Sequence, residues 1–369
     1  MDVRAPSPGA CRTRSQDEVP AVGWLCSAVP EELLIAAGAE PRRLYGYEAR
    51  GEGSESLLPT TFCAYVHGVL QAALQGAFAS LAAVVVVNSC DAMRRLADLW
   101  QRQIKEPPVF RLDFPFGFGS AAEDYWVAAL KHLVRYLEDL AGRPIKDSDL
   151  QGAIAVMNET RRRVMALDRL RAQPLRGISG VDYSRWLVKA FVGDKRRFLS
   201  QSAPILAEWE AAANGAGPAP PRLVLGGCAA DTVHLVQVME ACGTQVVADT
   251  LCTGSRHFDT LVEEWGDSVR AVARRYLRRA PCARRVDGSD FVGHLLRRVR
   301  ETRADGVVFP TLKFCDMVRW RLPRLAAVMA QEGIPFLHVE RDGSAASWGQ
   351  MQTRIQAFVE MIETRRAAG

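Results

Sequence analysis

The sequence has no long hydrophobic run. Nothing in it approaches the ~20 consecutive apolar residues that a membrane-spanning helix needs, and the run at residues 81–87 has only the length of a buried strand. The first twenty residues are rich in Pro, Arg and Ser and contain no apolar signal core. We therefore expect a loose tail at residues 1–20 and a cytoplasmic protein without membrane contacts.

Two common motifs are also missing. No C-x-x-C pair occurs, which argues against zinc ribbons and thioredoxin-type sites, and no G-x-x-x-x-G-K-[ST] phosphate loop occurs.

The charge imbalance is small, because 47 Lys and Arg against 42 Asp and Glu give a net charge of +5. Such a charge suits an anionic ligand but does not indicate nucleic acid.

The 369 residues exceed the usual size of one domain, and apolar runs alternate with helical patterns. This alternation predicts an α/β protein with two Rossmann/flavodoxin-like parallel-sheet lobes and a helical insert. We place the first lobe at residues 21–120, the helical region at 121–213 and the second lobe at 222–369. A Gly- and Pro-rich linker at 214–221 precedes the second lobe.

Seven strands and several helices are predicted within these limits. The strands are residues 22–26, 82–88, 109–113, 223–225, 245–248, 306–309 and 336–339. The helices are residues 30–37, 60–81, 91–103, 150–170, 183–191, 232–241, 267–279, 291–303, 315–331 and 350–364. Asp182 is expected to cap the helix at 183–191.

Nine cysteines are present, an odd number in a long chain, so a disulfide framework is not expected. Three of them lie at the start of predicted helices: Cys63, Cys90 and Cys315. Helix N-termini stabilise thiolates, and three thiolates can hold a 4Fe–4S cluster with one iron left open. The alternative is that all three are small buried side chains.

The remaining cysteines give weaker signals. We expect Cys11, Cys228 and Cys242 to be buried or inert. Cys26, Cys252 and Cys282 lie near predicted turns, and Cys26 and Cys252 stay open as additional cluster ligands.

The chain resembles the 2-hydroxyacyl-CoA dehydratase D-component family, which also contains the core subunits of ATP-dependent benzoyl-CoA reductase. The resemblance covers nearly everything after the tail and rests on several motifs in order. They are GWLCSAVPEELLIAAGAEPRRLYG (23–46), FCAYVHGVL (62–70), VVNSCDAMRRL (86–96), FRLDFPFGFGSAAEDYW (110–126), VVADTLCTGSRHF (246–258), RYLRRAPC (275–282), DGVVFPTLKFCD (305–316), GIPFLHVERD (333–342) and GQMQTRIQAF (349–358).

By this resemblance, Cys63, Cys90 and Cys315 correspond to the three cysteines that bind the family's 4Fe–4S cluster. The resemblance implies a radical dehydration of an acyl-CoA thioester through a ketyl anion. It also implies two partners, a longer second subunit and an ATP-hydrolysing iron–sulfur activator. One departure concerns the residues after the first ligand, where family members often have proline and arginine and this chain has Ala64 and His67.

Further candidate site residues follow from position and residue type. His67 and Glu31 are candidate catalytic residues, although a structural histidine and an ordinary helix-start glutamate are the alternatives. Four residues are candidates for substrate binding: Arg256, Gln350, Thr353 and Arg354. Arg256 could instead form an ion pair with a nearby carboxylate. The other three residues could belong to an ordinary helix start that binds no anion.

Three alternatives to a dehydratase remain open at this point. The chain could be a benzoyl-CoA reductase-type subunit, a double-cubane small-molecule reductase, or a non-catalytic subunit that relays electrons. The acyl group and the choice between homodimer and heterodimer are not predicted by the sequence.

Overall fold

The computed structural model describes residues 19–46, 51–173, 178–212, 219–227, 229–285, 291–344 and 346–368. The chain divides into two compact units. The first contains Met1–Met157, Phe191–Asp194 and Val262–Leu277, and the second contains Asn158–Ala190, Lys195–Leu261 and Arg278–Gly369. The predicted helical region is thus shared between the units, while most of the predicted tail and part of the predicted linker lie outside the described residues.

The first unit is built on a four-stranded parallel sheet. Its strands are β1 (Ala21–Leu25), β2 (Glu40–Arg43), β3 (Ala83–Val87) and β4 (Val109–Leu112), in the order β2-β1-β3-β4. Every residue of β1 and β3 is buried, as expected for central strands covered by helices on both faces.

Five helices precede or follow these strands. They are α1 (Glu31–Ala36), α2 (Glu52–Leu57), α3 (Ala64–Leu74), α4 (Asp91–Leu99) and α5 (Ser120–Ala141). A π-helical turn at Trp100–Ile104 follows α4 directly, and the buried Trp100 indole donates a hydrogen bond to the Pro107 carbonyl at 2.9 Å.

The second unit contains another four-stranded parallel sheet. Its strands are β5 (Arg222–Leu225), β6 (Gln245–Asp249), β7 (Gly306–Leu312) and β8 (Phe336–Arg341), in the order β6-β5-β7-β8. The two sheets therefore share one strand order, and the predicted fold of two parallel-sheet lobes is confirmed.

Nine helices complete the described chain. They are α6 (Asp147–Arg171), α7 (Gly180–Phe191), α8 (Lys195–Ala211), α9 (Thr232–Ala241), α10 (Ser268–Arg278), α11 (Phe291–Thr302), α12 (Asp316–Arg319), α13 (Leu322–Gln331) and α14 (Ala346–Ala368). The division between units falls within α6, and nearly all of α10 belongs to the first unit.

The side chains of β5 alternate between the two faces of the second sheet, and both faces are apolar. Leu223 and Leu225 pack in one cluster with residues of α9 and α14, whereas Val224 packs in the opposite cluster with residues of α11 and α13. Successive side chains of a strand point to opposite faces, so a short continuous apolar run fills both layers.

Several predicted boundaries are wrong. Strand β2 (EPRR) was not predicted because it has no β-branched residue, and its proline is tolerated at the edge of the sheet. The helix predicted at 315–331 is two helices, since Pro323 lacks the N–H and the space to continue α12. Asp182 lies inside α7 instead of capping it, and α3 is shorter than predicted.

The final helix also begins earlier than predicted, at Ala346 instead of 350. No helix in the described part of the chain is long and apolar enough to span a membrane.

Candidate functional site

Two cysteines occupy equivalent positions in the two sheets. Because the strand orders match, β3 and β7 correspond to each other. Cys90 is the third residue after β3 and Cys315 is the third residue after β7, and each is followed by an aspartate that begins a helix. Ligands of open α/β sheets bind outside the carboxyl ends of strands, where both thiols lie.

Cys63 has the same local setting without a preceding strand. It is the residue before α3, the helix that returns the chain to the start of β3, so it belongs to the carboxyl edge of the first sheet. Its carbonyl accepts hydrogen bonds from the backbone N–H groups of Val66 and His67 at 3.1 and 3.3 Å. The carbonyls of Cys90 and Cys315 accept equivalent first-turn bonds.

The three thiols suit iron ligation by their chemistry and setting. None takes part in a disulfide and each is half-buried. Each precedes a helix, whose first N–H groups favour the thiolate form. Phe314 directly before Cys315 has a left-handed backbone (φ 65°), which is rare for an aromatic residue and turns the chain sharply at this position.

The thiols belong to different units. Cys63 and Cys90 lie in the first and Cys315 in the second. In the described part of the chain, no three His, Cys, Asp or Glu side chains are grouped as a preformed metal site. Their convergence around one cluster therefore stays a prediction.

A cavity of about 410 Å³ lies at the same edge of the first sheet. It is lined by Asn88, Asp113, Phe114, Pro115, Phe116, Ala122 and Tyr125. Asn88 follows β3 two residues before Cys90; its amide donates to Asp113 Oδ1 at 2.9 Å and its carbonyl oxygen accepts from Arg94 Nε at 3.2 Å. The lining of this open pocket is mainly apolar and aromatic, with Asn88 and Asp113 as its polar groups.

This cavity was not predicted from the sequence as a site. The available signal was the aromatic stretch after β4, in which Phe116 and Tyr125 stay 42 % and 53 % exposed. Exposed aromatic side chains that lie together can mark a binding surface.

His67 and Glu31 are both buried. His67 lies on α3, is 1 % exposed, and its Nε2 is 3.1 Å from the Pro59 carbonyl oxygen, which fixes Nε2 as the donor. Glu31 lies in the first turn of α1, and its backbone N–H donates to the Tyr276 hydroxyl at 3.3 Å. The same hydroxyl donates to Glu32 Oε2 at 2.9 Å, so this tyrosine joins both residues of the pair.

Arg256 is 2 % exposed, and its Nη1 donates to the Pro281 carbonyl at 3.1 Å. The three candidates on the final helix are exposed instead. Since α14 begins at Ala346, Gln350 is its fifth residue, and the prediction that Gln350, Thr353 and Arg354 open the helix is wrong. Their backbone N–H groups are used within the helix, so the helix-terminus argument for anion binding does not hold.

The side chains of two of these residues bond to the protein itself. Thr353 Oγ1 donates to the Gly349 carbonyl at 3.2 Å, and Arg354 Nη2 donates to the His338 carbonyl at 2.9 Å. Thr353 also lines a shallow depression on the exposed face of α14. Their role in substrate binding stays a prediction.

Comparison with known families identifies the chain. The family model for the 2-hydroxyglutaryl-CoA dehydratase D-component matches residues 26–362, which is nearly the whole described chain. The chain belongs to the 2-hydroxyglutaryl-CoA dehydratase D-component family. The resemblance that the motifs carry is thereby confirmed.

Characterised relatives of this D-component chain are subunits of acyl-CoA enzymes. The lactoyl-CoA dehydratase subunit beta of Anaerotignum propionicum is 27% identical over 93% of this chain and 91% of its own length. The (R)-phenyllactyl-CoA dehydratase beta subunit of Clostridium sporogenes is 25% identical with the same coverage. A benzoyl-CoA reductase subunit from Thauera aromatica is 25% identical over 90% of this chain and 87% of its own length.

A buried ionic network supports the loop after β6 in this D-component chain. Asp249 Oδ1 accepts from the backbone N–H of Leu251 and Ser255 at 3.2 and 2.8 Å, while Oδ2 accepts from Arg171 Nη2 at 2.7 Å. This loop carries Cys252 and Arg256. The fully buried carboxylate of Asp249 thus fixes the backbone of the loop that carries Arg256, a candidate substrate-binding residue. The spacing of residues along the sequence did not indicate this role of Asp249.

The other described cysteines differ in burial. Cys242 is 6 % exposed and lies in the core of the second unit, where burial raises the pKa of its thiol. Cys26 and Cys252 are half-buried and each follows a strand at a carboxyl edge, so both stay open as further ligands. Cys11 and Cys228 lie outside the described residues.

Proposed function

We propose that this chain is the iron–sulfur subunit of a 2-hydroxyacyl-CoA dehydratase-type enzyme. The observation that carries the proposal is the equivalent placement of Cys90 and Cys315, each between the third strand in chain order of its sheet and a helix start. With Cys63 they form a three-thiolate donor set for a 4Fe–4S cluster. When bound, such a cluster supplies one-electron chemistry at the thioester carbonyl.

The chain's own residues prepare the ligands in two ways. Cys63 and Cys90 directly precede α3 and α4, and a helix N-terminus lowers the free-energy cost of keeping a thiol ionised because the helix dipole favours negative charge there. The first helical hydrogen bonds fix the backbones of both residues.

The cavity beside Cys90 is the proposed acyl site. Phe114, Phe116 and Tyr125 offer an apolar surface to the acyl chain, and the Arg94–Asn88–Asp113 chain of hydrogen bonds fixes the polar groups at its rim.

Loss of the C2 hydroxyl must be accompanied by removal of a proton from C3. Glu31 is the proposed proton-handling residue of this chain, because it is fully buried beside Glu32 and the Tyr276 hydroxyl. His67 lies on α3, the helix that begins after Cys63, and its ring is hydrogen-bonded to the Pro59 carbonyl. Its burial is compatible with an indirect role, in which His67 helps to position Cys63.

The proposed assembly has two further proteins. Electrons come from an ATP-hydrolysing iron–sulfur activator, since the sequence has no phosphate loop. A longer family member is the proposed second subunit, in agreement with relatives that are named as beta subunits. The proposed setting is the cytoplasm.

A benzoyl-CoA reductase-type activity is the second candidate. It is favoured by the relative from Thauera aromatica and by the aromatic lining of the cavity. In that case the same electron delivery would reduce an aromatic ring instead of expelling a hydroxyl group.

The experiment is anaerobic co-purification with the longer subunit, followed by assays with the activator and ATP. A panel of 2-hydroxyacyl-CoA and aromatic acyl-CoA thioesters is analysed by mass spectrometry. Loss of water from a 2-hydroxyacyl-CoA supports the dehydratase, and a gain of two hydrogens by an aromatic thioester supports the reductase. No conversion of either class by an iron-replete complex would contradict both.

A further inference from the structure

A short segment of the second unit carries an unusual concentration of arginines. Residues 279–285 (RAPCARR) contain Arg279, Arg284 and Arg285, and Arg256 contacts the same segment through the Pro281 carbonyl. Arg256, Arg279 and Arg285 are 2 %, 8 % and 5 % exposed. Buried guanidinium groups are costly unless an anion compensates their charge.

The segment is held rigidly by hydrogen bonds to its backbone. Asp259 Oδ2 accepts from the Ala280 N–H at 2.9 Å. Arg321 donates from Nε to the Ala283 carbonyl at 3.1 Å and from Nη2 to the Arg285 carbonyl at 2.8 Å. The arginines are therefore presented from a fixed turn, as a preorganised ligand site requires.

The pKa of the Cys282 thiol depends on the charges around it in this turn. Burial alone would raise its pKa, yet the positive charges of Arg256 and Arg284, a hydrogen bond from the Arg284 backbone and the charge of Arg279 together outweigh burial, and the pKa lies below the ordinary value for cysteine. His294 close to Arg256 adds no charge at neutral pH, because burial lowers its pKa to about 4. The arginine charges of this turn thus act together on Cys282.

Arg279 supplies the decisive observation. Its Nε and Nη1 are buried and have no hydrogen-bond partner among the residues that the structure describes. Leaving donors of a charged group unsatisfied costs several times more than an ordinary hydrogen bond contributes. Unsatisfied N–H groups of a buried guanidinium are suited to donate to the oxygens of an anion.

We propose that the turn at residues 279–285 binds a phosphoryl group, with Arg279 as its hydrogen-bond donor and Arg256 and Arg284 as charge partners. A phosphoryl group matches the site because it offers several acceptor oxygens and up to two negative charges. Its source is a phosphate of coenzyme A, a choice that rests on the proposed function, or free phosphate.

The test uses the full-length chain and three probes: inorganic phosphate, coenzyme A and 3′-dephospho-coenzyme A. Calorimetry measures the binding of all three probes. Protection of Cys282 from iodoacetamide, quantified on its peptide by mass spectrometry, is measured with inorganic phosphate alone, because the thiols of the other two probes react with iodoacetamide themselves. Arg279→Gln is compared with Arg278→Gln, the exposed neighbour at the end of α10. Circular dichroism checks that both variants fold, and Arg279→Lys keeps the charge without the planar guanidinium group.

Phosphate is expected to slow alkylation of Cys282 in the unaltered chain and in Arg278→Gln, because the bound anion disfavours the thiolate. Arg279→Gln should bind about tenfold more weakly or worse, the loss expected for a charge-assisted hydrogen-bond pair. Tighter binding of coenzyme A than of phosphate identifies coenzyme A as the source, and loss with the dephospho form assigns its 3′-phosphate. Equal binding of coenzyme A and phosphate identifies free phosphate.

Equal affinities of all three probes for Arg279→Gln and the unaltered chain would overturn the site. That result is separable from failure of the proposed function, because iron binding and acyl-CoA turnover of the assembled complex are measured without reference to Arg279. A complex that turns over normally with Arg279→Gln and shows no difference in phosphate binding would retain the function and lose this site.

Discussion

Arg171 and Asp249 form an ion pair that is completely buried, with Arg171 Nη2 donating to Asp249 Oδ2 at 2.7 Å. The guanidinium also bonds Asp168 and lies 3.6 Å from the centre of the Tyr183 ring. Burial alone would lower the pKa of Arg171, but Asp168, Tyr183 and Asp249 outweigh it and raise that pKa. The pair joins the end of α6 to the end of β6 and to the loop that carries Arg256.

Asp249→Asn should therefore destabilise the second unit strongly. Removing one member of a buried pair leaves an uncompensated charge and typically costs about 3–5 kcal/mol. The free energy of unfolding is measured in urea, with Asp182→Asn as the matched control. Asp182 pairs with Arg185 at the surface, where both side chains are about half exposed, and such pairs contribute roughly 0–1 kcal/mol. Similar losses for both variants would contradict the assignment.

The same network predicts a pH dependence. Burial would raise the pKa of Asp168, but Arg298 and Arg171 together outweigh burial and hold that pKa below its ordinary value. In the unfolded chain the carboxyl titrates near pH ~3.9. The depressed pKa thus stabilises the fold above about pH 4, and this contribution disappears as the pH falls through the folded-state pKa.

Asp168→Asn isolates this contribution. The difference in unfolding free energy between the unaltered chain and the variant should be constant from about pH 7 to pH 5 and shrink below about pH 4. Urea unfolding at four or five pH values measures it. A difference that does not change with pH would show that Asp168 has the same pKa in both states.

A close backbone crossing supports the helix that begins after Cys63. A Cβ atom on Gly68 would overlap the Gly46 carbonyl oxygen, and the Tyr65 hydroxyl donates to the neighbouring Leu44 carbonyl at 2.9 Å. Gly68→Ala must displace backbone and should cost at least about 2 kcal/mol. Gly152→Ala in α6 meets no atom within 4 Å and should stabilise by about 0.5–1 kcal/mol through helix propensity.

Thermal or urea unfolding of both alanine variants checks this prediction. If Gly68→Ala were as stable as the unaltered chain, the crossing of α3 with the chain at Gly46 would be wrong. The iron content of Gly68→Ala should fall together with its stability, since α3 holds the backbone at Cys63.

Much of this fold is predictable from the sequence because buried parallel strands are continuous apolar runs. The AVVVV run of β3 and the VVF run of β7 are examples. Strand β2 has no such run, and its pairing with β1 depends on backbone contacts that composition does not encode. The start of α14 was missed because Ser, Trp and Gly are weak helix signals.

The candidate site was predictable only in part. Cys90 and Cys315 are recognisable because strand, turn, cysteine and aspartate follow one another in sequence. The cavity beside Cys90 and the Asp249 network depend on residues brought together from different elements, such as Asn88 with Asp113 and Arg171 with Asp249. Spacing along the chain contains no signal for such pairs.

The central claim is that Cys63, Cys90 and Cys315 together hold one cluster, and the iron content of serine variants tests it most directly. Each serine variant, prepared anaerobically, should lose most of the roughly four irons and four sulfides per chain that a 4Fe–4S cluster contributes, together with its visible absorbance. Cys242→Ser is the matched control and should keep the cluster, since this thiol lies in the core of the second unit. Retention of full iron and sulfide by any one of the three variants would contradict the account.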